Sequence, residues 1–329
     1  MNWNSRDILV TGAGGFIGSH LVHKLVKLGG TVKALVRYNS RNDIGLLKYL
    51  PTEILGNVEV ILGDLKDYEI VRNSMKGTNI IFHLGALIGI PYSYICPGET
   101  ISNNIIATLN VMKASREEVV ERIIHTSSSE VYGTAQYVPI DEMHPLQGQS
   151  PYSASKIGAD KIAESYFLSF DSPVSIIRPF NTYGPRQSAR AVIPTIISQV
   201  LAGSQINLGS LETIRDFTYI EDTIEGFIKM AECKEAVGEV INIGSNNALS
   251  IGEIANIVID LTNVNAEIVV DTERIRPEKS EVRRLQCDNT KAMDILGWKP
   301  KHSIQEGIGL TIEWISENRE YYRPHIYNI

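Results

Sequence analysis

The chain has 329 residues, 43% hydrophobic and 21% charged, which is enough apolar content for a large core and two lobes and too much for intrinsic disorder. Its 31 basic against 38 acidic residues give a net charge of −7, which argues against a nucleic-acid binder working by bulk attraction but allows an anionic small ligand held by a few arginines. No apolar run reaches the roughly 18 residues of a membrane span, and the polar stretch Met1–Asp7 lacks the apolar region of a secretory leader. Cys96, Cys233 and Cys287 have neither disulfide nor zinc spacing, so a reduced, cytoplasmic setting and no metal are expected.

Short apolar runs alternate with amphipathic segments through the first half. Ile8–Val10 is followed by a helical pattern over Phe16–Leu28, then by Val32–Val36, Val58–Leu62, Ile80–His83 and Arg122–His125, with Val174–Ile177 and Val240–Ile243 further on. This alternation predicts an α/β fold, a doubly wound parallel Rossmann sheet buried on both faces. After Arg178, prolines at 179, 185, 194, 277 and 300 break the pattern and predict a smaller mixed α/β lobe. The expected division is a dinucleotide-binding part over 1–178, joined by about 215–245, and a discontinuous substrate lobe over 179–329. Tyr137–Pro151 reads as a loop over one edge of a site. Trp298 and Trp314 are expected in the core of the second lobe. His83 and His125 are expected as hydrogen-bonded structural residues, Cys96 as packing, and Arg283-Arg284 as a solvated edge.

Thr11-Gly12-Ala13-Gly14-Gly15-Phe16-Ile17-Gly18 lies between the first strand and the first helix. Glycines there permit a tight turn and close backbone approach to a pyrophosphate, and the helix start offers free N–H groups and partial positive charge. The spacing Gly12, Gly15, Gly18 resembles the extended branch of the short-chain dehydrogenase/reductase proteins. At the end of the second strand, where an acid would accept from an NAD ribose, the chain reads Val36-Arg37-Tyr38-Asn39-Ser40-Arg41. Arg37, Ser40 and Arg41 therefore point to NADP, with NAD the alternative. By the same resemblance, Asp64-Leu65 matches an adenine contact and Leu84-Gly85-Ala86 a cofactor-lining segment, with Pro179 a further cofactor-binding candidate.

Tyr152 and Lys156 lie four apart at the start of a helix and share a face, so phenol and ammonium can converge. An ammonium and an oxidised nicotinamide both favour phenolate, so Tyr152 can act as a base near neutral pH. His125-Thr126-Ser127-Ser128-Ser129-Glu130 leaves a strand about two dozen residues earlier, placing hydroxyls and a carboxylate at a strand's carboxyl end. Ser128 completes a Ser–Tyr–Lys set.

With Phe82–Tyr94, Arg178–Gln187, Arg215–Asp222 and Arg276-Pro277-Glu278, these motifs make nearly the whole chain resemble the nucleotide-sugar 4,6-dehydratases, in particular those acting on nucleotide-linked N-acetylglucosamine in nonulosonic acid pathways. The resemblance implies three steps. Tyr152 takes the O4 proton as the C4 hydride leaves for the nicotinamide; Glu130 removes the acidified C5 proton and the C6 hydroxyl leaves as water; the hydride then returns to C6. Many such enzymes carry Thr-Asp-Glu where this chain has Ser128-Ser129-Glu130, so the acid that would protonate the leaving hydroxyl is missing, and Glu130 is expected to carry the proton with Ser129 or a water positioning the hydroxyl. The Ser-Glu pair also resembles UDP-glucuronate decarboxylases, with Arg215 at the reacting centre. Hexose 4-epimerases, which share the fold, and a non-enzymatic dinucleotide-binding regulator also fit parts of the pattern. Asn181, Arg215 and Arg276 match the family's pyrophosphate and ribose contacts and Val192 a segment flanking the base, with Arg186 and Arg190 weaker candidates. UDP-N-acetylglucosamine is the expected substrate. The helices over Ile101–Ser115 and Tyr152–Phe170 resemble those of a homodimer bundle.

Overall fold

The computed structural model describes residues 1–324 and 326. Its main sheet holds β1 (Asp7–Thr11), β2 (Thr31–Arg37), β3 (Val58–Gly63), β4 (Ile80–His83), β5 (Arg122–Thr126), β6 (Val174–Pro179) and β10 (Val240–Ile243). The spatial order is β10-β6-β5-β4-β1-β2-β3 and every pairing is parallel. The expected strands are all present, with boundaries within two residues. Ile8, Leu9 and Val10 are fully buried because both sheet faces are covered, which is why the strands read as unbroken apolar runs rather than alternating ones.

One face carries the helices Pro97–Glu117 and Pro151–Phe170, packed against each other and seated through Val111, Met112, Ala114 and Ala163. The opposite face carries Phe16–Lys27 and Ile220–Glu232, seated through Leu21, Leu25 and Phe227. The strand order reverses beside β1, between β2 and β4, and open α/β sheets hold ligands in the crevice at the carboxyl ends of such strands.

The remaining strands form two small sheets. β7 (Asn181–Tyr183), β9 (Ile214–Tyr219) and β11 (Ala248–Ser250) make one, and β8 (Gln205–Leu208) with β12 (Glu267–Val270) the other. Chain 240–243 returns to the main sheet, with Val240 opposite Ile176. Trp298 is fully buried and its indole donates to the Asp222 carbonyl at 2.9 Å. Trp314 is only partly buried, edge-on to Tyr49 and Tyr321, so it belongs to the rim of the core rather than its centre. No helix among the described residues is long and apolar enough to cross a membrane.

Candidate active site

The glycine turn is shaped for close backbone approach. Gly12 has φ +68°, and a Cβ there would lie 2.8 Å from the Gly85 Cα; a Cβ on Gly18 would lie 2.3 Å from the Gly12 carbonyl oxygen. Thr11 holds the two segments together, its hydroxyl accepting from the Gly85 amide at 3.1 Å and meeting His83 Nδ1 at 2.8 Å. The helix that follows begins at Gly15 without a side-chain cap and without an acid in its first turn, so its leading N–H groups are left for an anion. A cavity of about 120 Å³ opens beside this turn, lined by Gly12, Val36, Arg37, Asp64, Leu65 and Ala86 among others. An open helix start next to a half-apolar cleft fits a dinucleotide's pyrophosphate and adenosine. We expect Gly12→Ala to abolish dinucleotide binding, measured by calorimetry, because the added methyl both strains the turn and collides with Gly85.

Not all of the expected cofactor residues gather here. Ser40 and Arg41 are exposed on the 38–43 loop and do not line the cavity. That loop is closed on itself by Asn39, whose Oδ1 accepts from the Arg41 and Asp43 amides. Gly14 packs under the 44–46 turn, its carbonyl accepting from the Leu46 amide at 2.9 Å. Leu84 packs against the core, Pro179 ends β6 opposite Ile243, and Phe16 sets its ring edge-on to His20. Ile17 is partly buried against the same core. The carboxylate-free stretch 36–41 is approached by an acid from elsewhere in the chain. Glu99, at the start of the helix Pro97–Glu117, reaches Arg37 at 3.5 Å and accepts from the Tyr92 hydroxyl at 2.7 Å. It sits one turn before Asn103, which lines the cavity.

The second half of the site is built on β5 and the helix Pro151–Phe170. Ser150 caps that helix reciprocally with Ser153, and Pro151 occupies its first turn, which fixes Tyr152 close to the helix start. Tyr152 is 7% exposed. Burial pushes its phenol up to about 12, opposed by a hydrogen bond from Ser128, while the charges of Glu130 and Asp160 push the same way as burial. Lys156 donates from Nζ to the Thr126 carbonyl at 2.5 Å. Burial pulls its ammonium down to about 8, and the Asp160 carboxylate works against that pull. Ser128 accepts from the Glu130 amide at 3.3 Å, capping the single turn Ser129–Tyr132, and Ser129 is buried. The structure thus brings Ser128, Glu130, Tyr152 and Lys156 to one place.

On the far side, Arg215 is buried, and the charges of Glu130, Arg276 and Glu281 face it. Its Nη2 lies 3.3 Å from Glu281, and Arg276 lies 3.9 Å from the same carboxylate oxygen. Arg276 and Glu281 line a second cavity of about 300 Å³ with Ser210, Glu212 and Thr213. Asn181 has a buried Oδ1 without a hydrogen-bond partner, and Val192 begins the helix Val192–Ala202. Arg186 is buried and donates from Nε to His20 Nε2 at 3.1 Å, and Arg190 is exposed near Gly89.

The histidines behave as structural residues: His83 bridges Thr11 and Thr108, and His125 meets Asp160. Three residues escaped the sequence reading. Asn104 ties the 84–87 segment to its helix through both the amide and the carbonyl of Leu87 and donates to Ser155 Oγ at 2.8 Å. Glu99 carries no local signal, since its place depends on how a helix docks. Asp160 did carry one, because it continues the four-residue spacing of Tyr152 and Lys156.

A doubly wound sheet, a glycine-led helix start at its switch point and a serine–tyrosine–lysine set beside it define a short-chain dehydrogenase/reductase, with an arginine-lined second lobe suited to a nucleotide-linked substrate. The chain belongs to the GDP-mannose 4,6 dehydratase family, whose pattern it matches over residues 9–311, and is an enzyme of the nucleotide-sugar 4,6-dehydratase and 4-epimerase group. It is 32% identical to human dTDP-D-glucose 4,6-dehydratase over 322 residues, covering 95% of this chain and 91% of that protein. Among solved structures it is similar to the dTDP-glucose 4,6-dehydratase DesIV of Streptomyces venezuelae, solved with NAD, at TM-score 0.85 and 27% identity over 97% and 99% of the two chains. It is also similar to the UDP-N-acetylglucosamine 4-epimerase of Methanobrevibacter ruminantium, solved with UDP-N-acetylmuramic acid, at TM-score 0.86 and 28% identity over 95% and 99%.

Proposed function

We propose that the protein is a 4,6-dehydratase of a nucleotide-linked hexosamine, UDP-N-acetylglucosamine by preference. The observation that carries this reading is Glu130 in the same site as Tyr152: its charge bears on the phenol, which Ser128 hydrogen-bonds. An epimerase needs only the Ser–Tyr–Lys set, whereas elimination needs a second group to take the C5 proton. When bound, the dinucleotide supplies the acceptor for the C4 hydride and its donor to C6. Tyr152 removes the O4 proton, with Lys156 favouring the phenolate and Ser128 holding the oxygen. Glu130 takes the C5 proton once C4 is a ketone and delivers it to the departing C6 hydroxyl, since Ser129 has no acidity for that task. Asn181, Arg215 and Arg276 hold the pyrophosphate and ribose, and Val192 flanks the base. The substrate preference is supported by the overall resemblance of the chain to enzymes of nucleotide-linked N-acetylglucosamine and by the neighbour named as a UDP-N-acetylglucosamine 4-epimerase.

The reading divides the chain into a dinucleotide part (1–178 with about 215–245) and a sugar-nucleotide part made from the rest of 179–329. It takes the enzyme to be a homodimer formed on the helices Pro97–Glu117 and Pro151–Phe170, where Ile101, Ile106, Leu168 and Phe170 are exposed. For the dinucleotide, Arg37 suits a 2′-phosphate but Glu99 sits against it, so the reading turns from NADP to NAD, the cofactor of the DesIV complex. Glu99→Gln should raise NADP affinity relative to NAD about fivefold to tenfold, the effect of removing one like charge at roughly 4 Å with water-like screening; an unchanged ratio of dissociation constants would remove Glu99 from cofactor choice.

A panel of nucleotide sugars followed by mass tests the reaction. Loss of water from UDP-N-acetylglucosamine supports it. The second reading, decarboxylation of UDP-glucuronate, is favoured by the Arg215 charge facing Glu130, and loss of carbon dioxide from that substrate would replace the first.

A further inference from the structure

One turn beyond Lys156 on the same helix, Asp160 is 2% exposed and accepts hydrogen bonds from three residues. Its Oδ1 meets His125 Nε2 at 3.2 Å, and its Oδ2 takes the Ser127 hydroxyl at 2.6 Å and Arg178 Nη2 at 3.0 Å. His125 and Ser127 flank Thr126, whose carbonyl is the acceptor for Lys156 Nζ. Along a strand, alternate side chains share a face, so 125 and 127 both point at the helix that carries Lys156. One carboxylate therefore grips β5 on both sides of the carbonyl that seats the lysine, and the next residue after the grip is Ser128. Arg178 extends the frame: it donates to the Tyr132 hydroxyl at 3.0 Å, which donates to Asn242 Oδ1 at 2.7 Å, and Asn242 donates to the Ile140 carbonyl of the 134–149 loop at 3.1 Å.

We propose that Asp160 is a positioning residue for the proton-transfer set: by clamping His125 and Ser127 it fixes the Thr126 carbonyl, and through it the Lys156 ammonium that favours the Tyr152 phenolate. The inference rests on the reading of Tyr152 as the base. The charged groups facing Tyr152 are Glu130 and Asp160; His83, His125 and Asp160 face Lys156; Arg178, His125 and Lys156 face Asp160. Removing the Asp160 charge would act on the phenol in two opposite ways, taking away the carboxylate that supports the Lys156 ammonium and one of the charges that oppose the Tyr152 phenolate, so the clamp is read from variants that leave that charge in place.

The test needs no sugar substrate. Tyr152 ionisation is followed at 295 nm in NAD-loaded protein, as the difference between each variant and its Tyr152→Phe counterpart. Ser127→Ala, which removes one arm of the clamp while keeping the Asp160 charge and its Arg178 pair, is expected to move the midpoint upward by about half a pH unit or more, and Ser127→Cys, whose thiol is a weaker donor, to move it in the same direction by a smaller step. Both should keep the dissociation constant for NAD. If Ser127→Ala fails to fold, Ser127→Cys decides: an upward midpoint supports the clamp. An unmoved midpoint in whichever of these variants folds would overturn it, leaving the Asp160 network as fold support only. Absence of sugar turnover by the unaltered enzyme would bear on the proposed reaction alone, because the titration reads the phenol directly.

Discussion

Tyr152→Phe should lower ketone formation by about 10²–10⁴-fold, the range general acid–base groups contribute, with melting temperature and NAD affinity unchanged. A phenol that burial pushes up to about 12 is a poor base in the isolated fold. Ionising it near pH 7 takes roughly 7 kcal/mol of differential interaction, which the Lys156 ammonium and the bound oxidised ring must supply, because the Ser128 hydrogen bond already acts at about 12. Lys156 itself lies at about 8. The rate of bound-dinucleotide reduction should therefore rise with pH through neutrality as Tyr152 loses its proton, then fall above about pH 8 as Lys156 loses its own and the phenolate loses its partner. A rate that kept rising well above that point would mean Lys156 acts through something other than its charge.

Glu130→Gln should separate oxidation from elimination. Bound dinucleotide should still be reduced on adding UDP-N-acetylglucosamine, while C5–H exchange in heavy water and loss of the C6 hydroxyl should each drop by about 10²–10⁴-fold. Ser129→Ala should cost no more than about tenfold, the scale of one hydrogen bond to the leaving group. Ser129 is buried, and a serine has no proton to give near neutral pH. Stopped-flow absorbance and proton NMR read the two halves of the reaction apart. If Ser129→Ala lost elimination as fully as Glu130→Gln, a single-carboxylate mechanism would be wrong, and if Glu130→Gln eliminated normally, the C5 base would lie elsewhere.

The parts of the fold that were legible are those fixed by local pattern. Ile8–Val10 and Ile80–His83 are continuous apolar runs because both faces of a parallel sheet are buried, and Gly12 to Gly18 can be read because a Cβ would not fit. Tyr152, Lys156 and Ser128 follow from helix spacing and from the end of a strand. What escaped depends on tertiary docking. Glu99 reaches Arg37 from a helix sixty-two residues later in the chain, and no spacing signals that approach. The shape of the Arg41 loop also depends on a contact that spacing does not signal, the Asn39 Oδ1 accepting from the Arg41 and Asp43 amides. Asp160 lay within reach of the sequence, yet its role required seeing that His125 and Ser127 bracket the Lys156 acceptor.

The central claim is that one hydride leaves C4 and returns to C6 of the same sugar after Glu130 has driven out water. UDP-N-acetylglucosamine carrying deuterium at C4 tests it directly, with the product followed by mass and proton NMR. The account predicts a 4-keto-6-deoxy product with the deuterium in its C6 methyl group. Deuterium found back at C4 in an epimer, or any product that keeps its C6 hydroxyl, would contradict it.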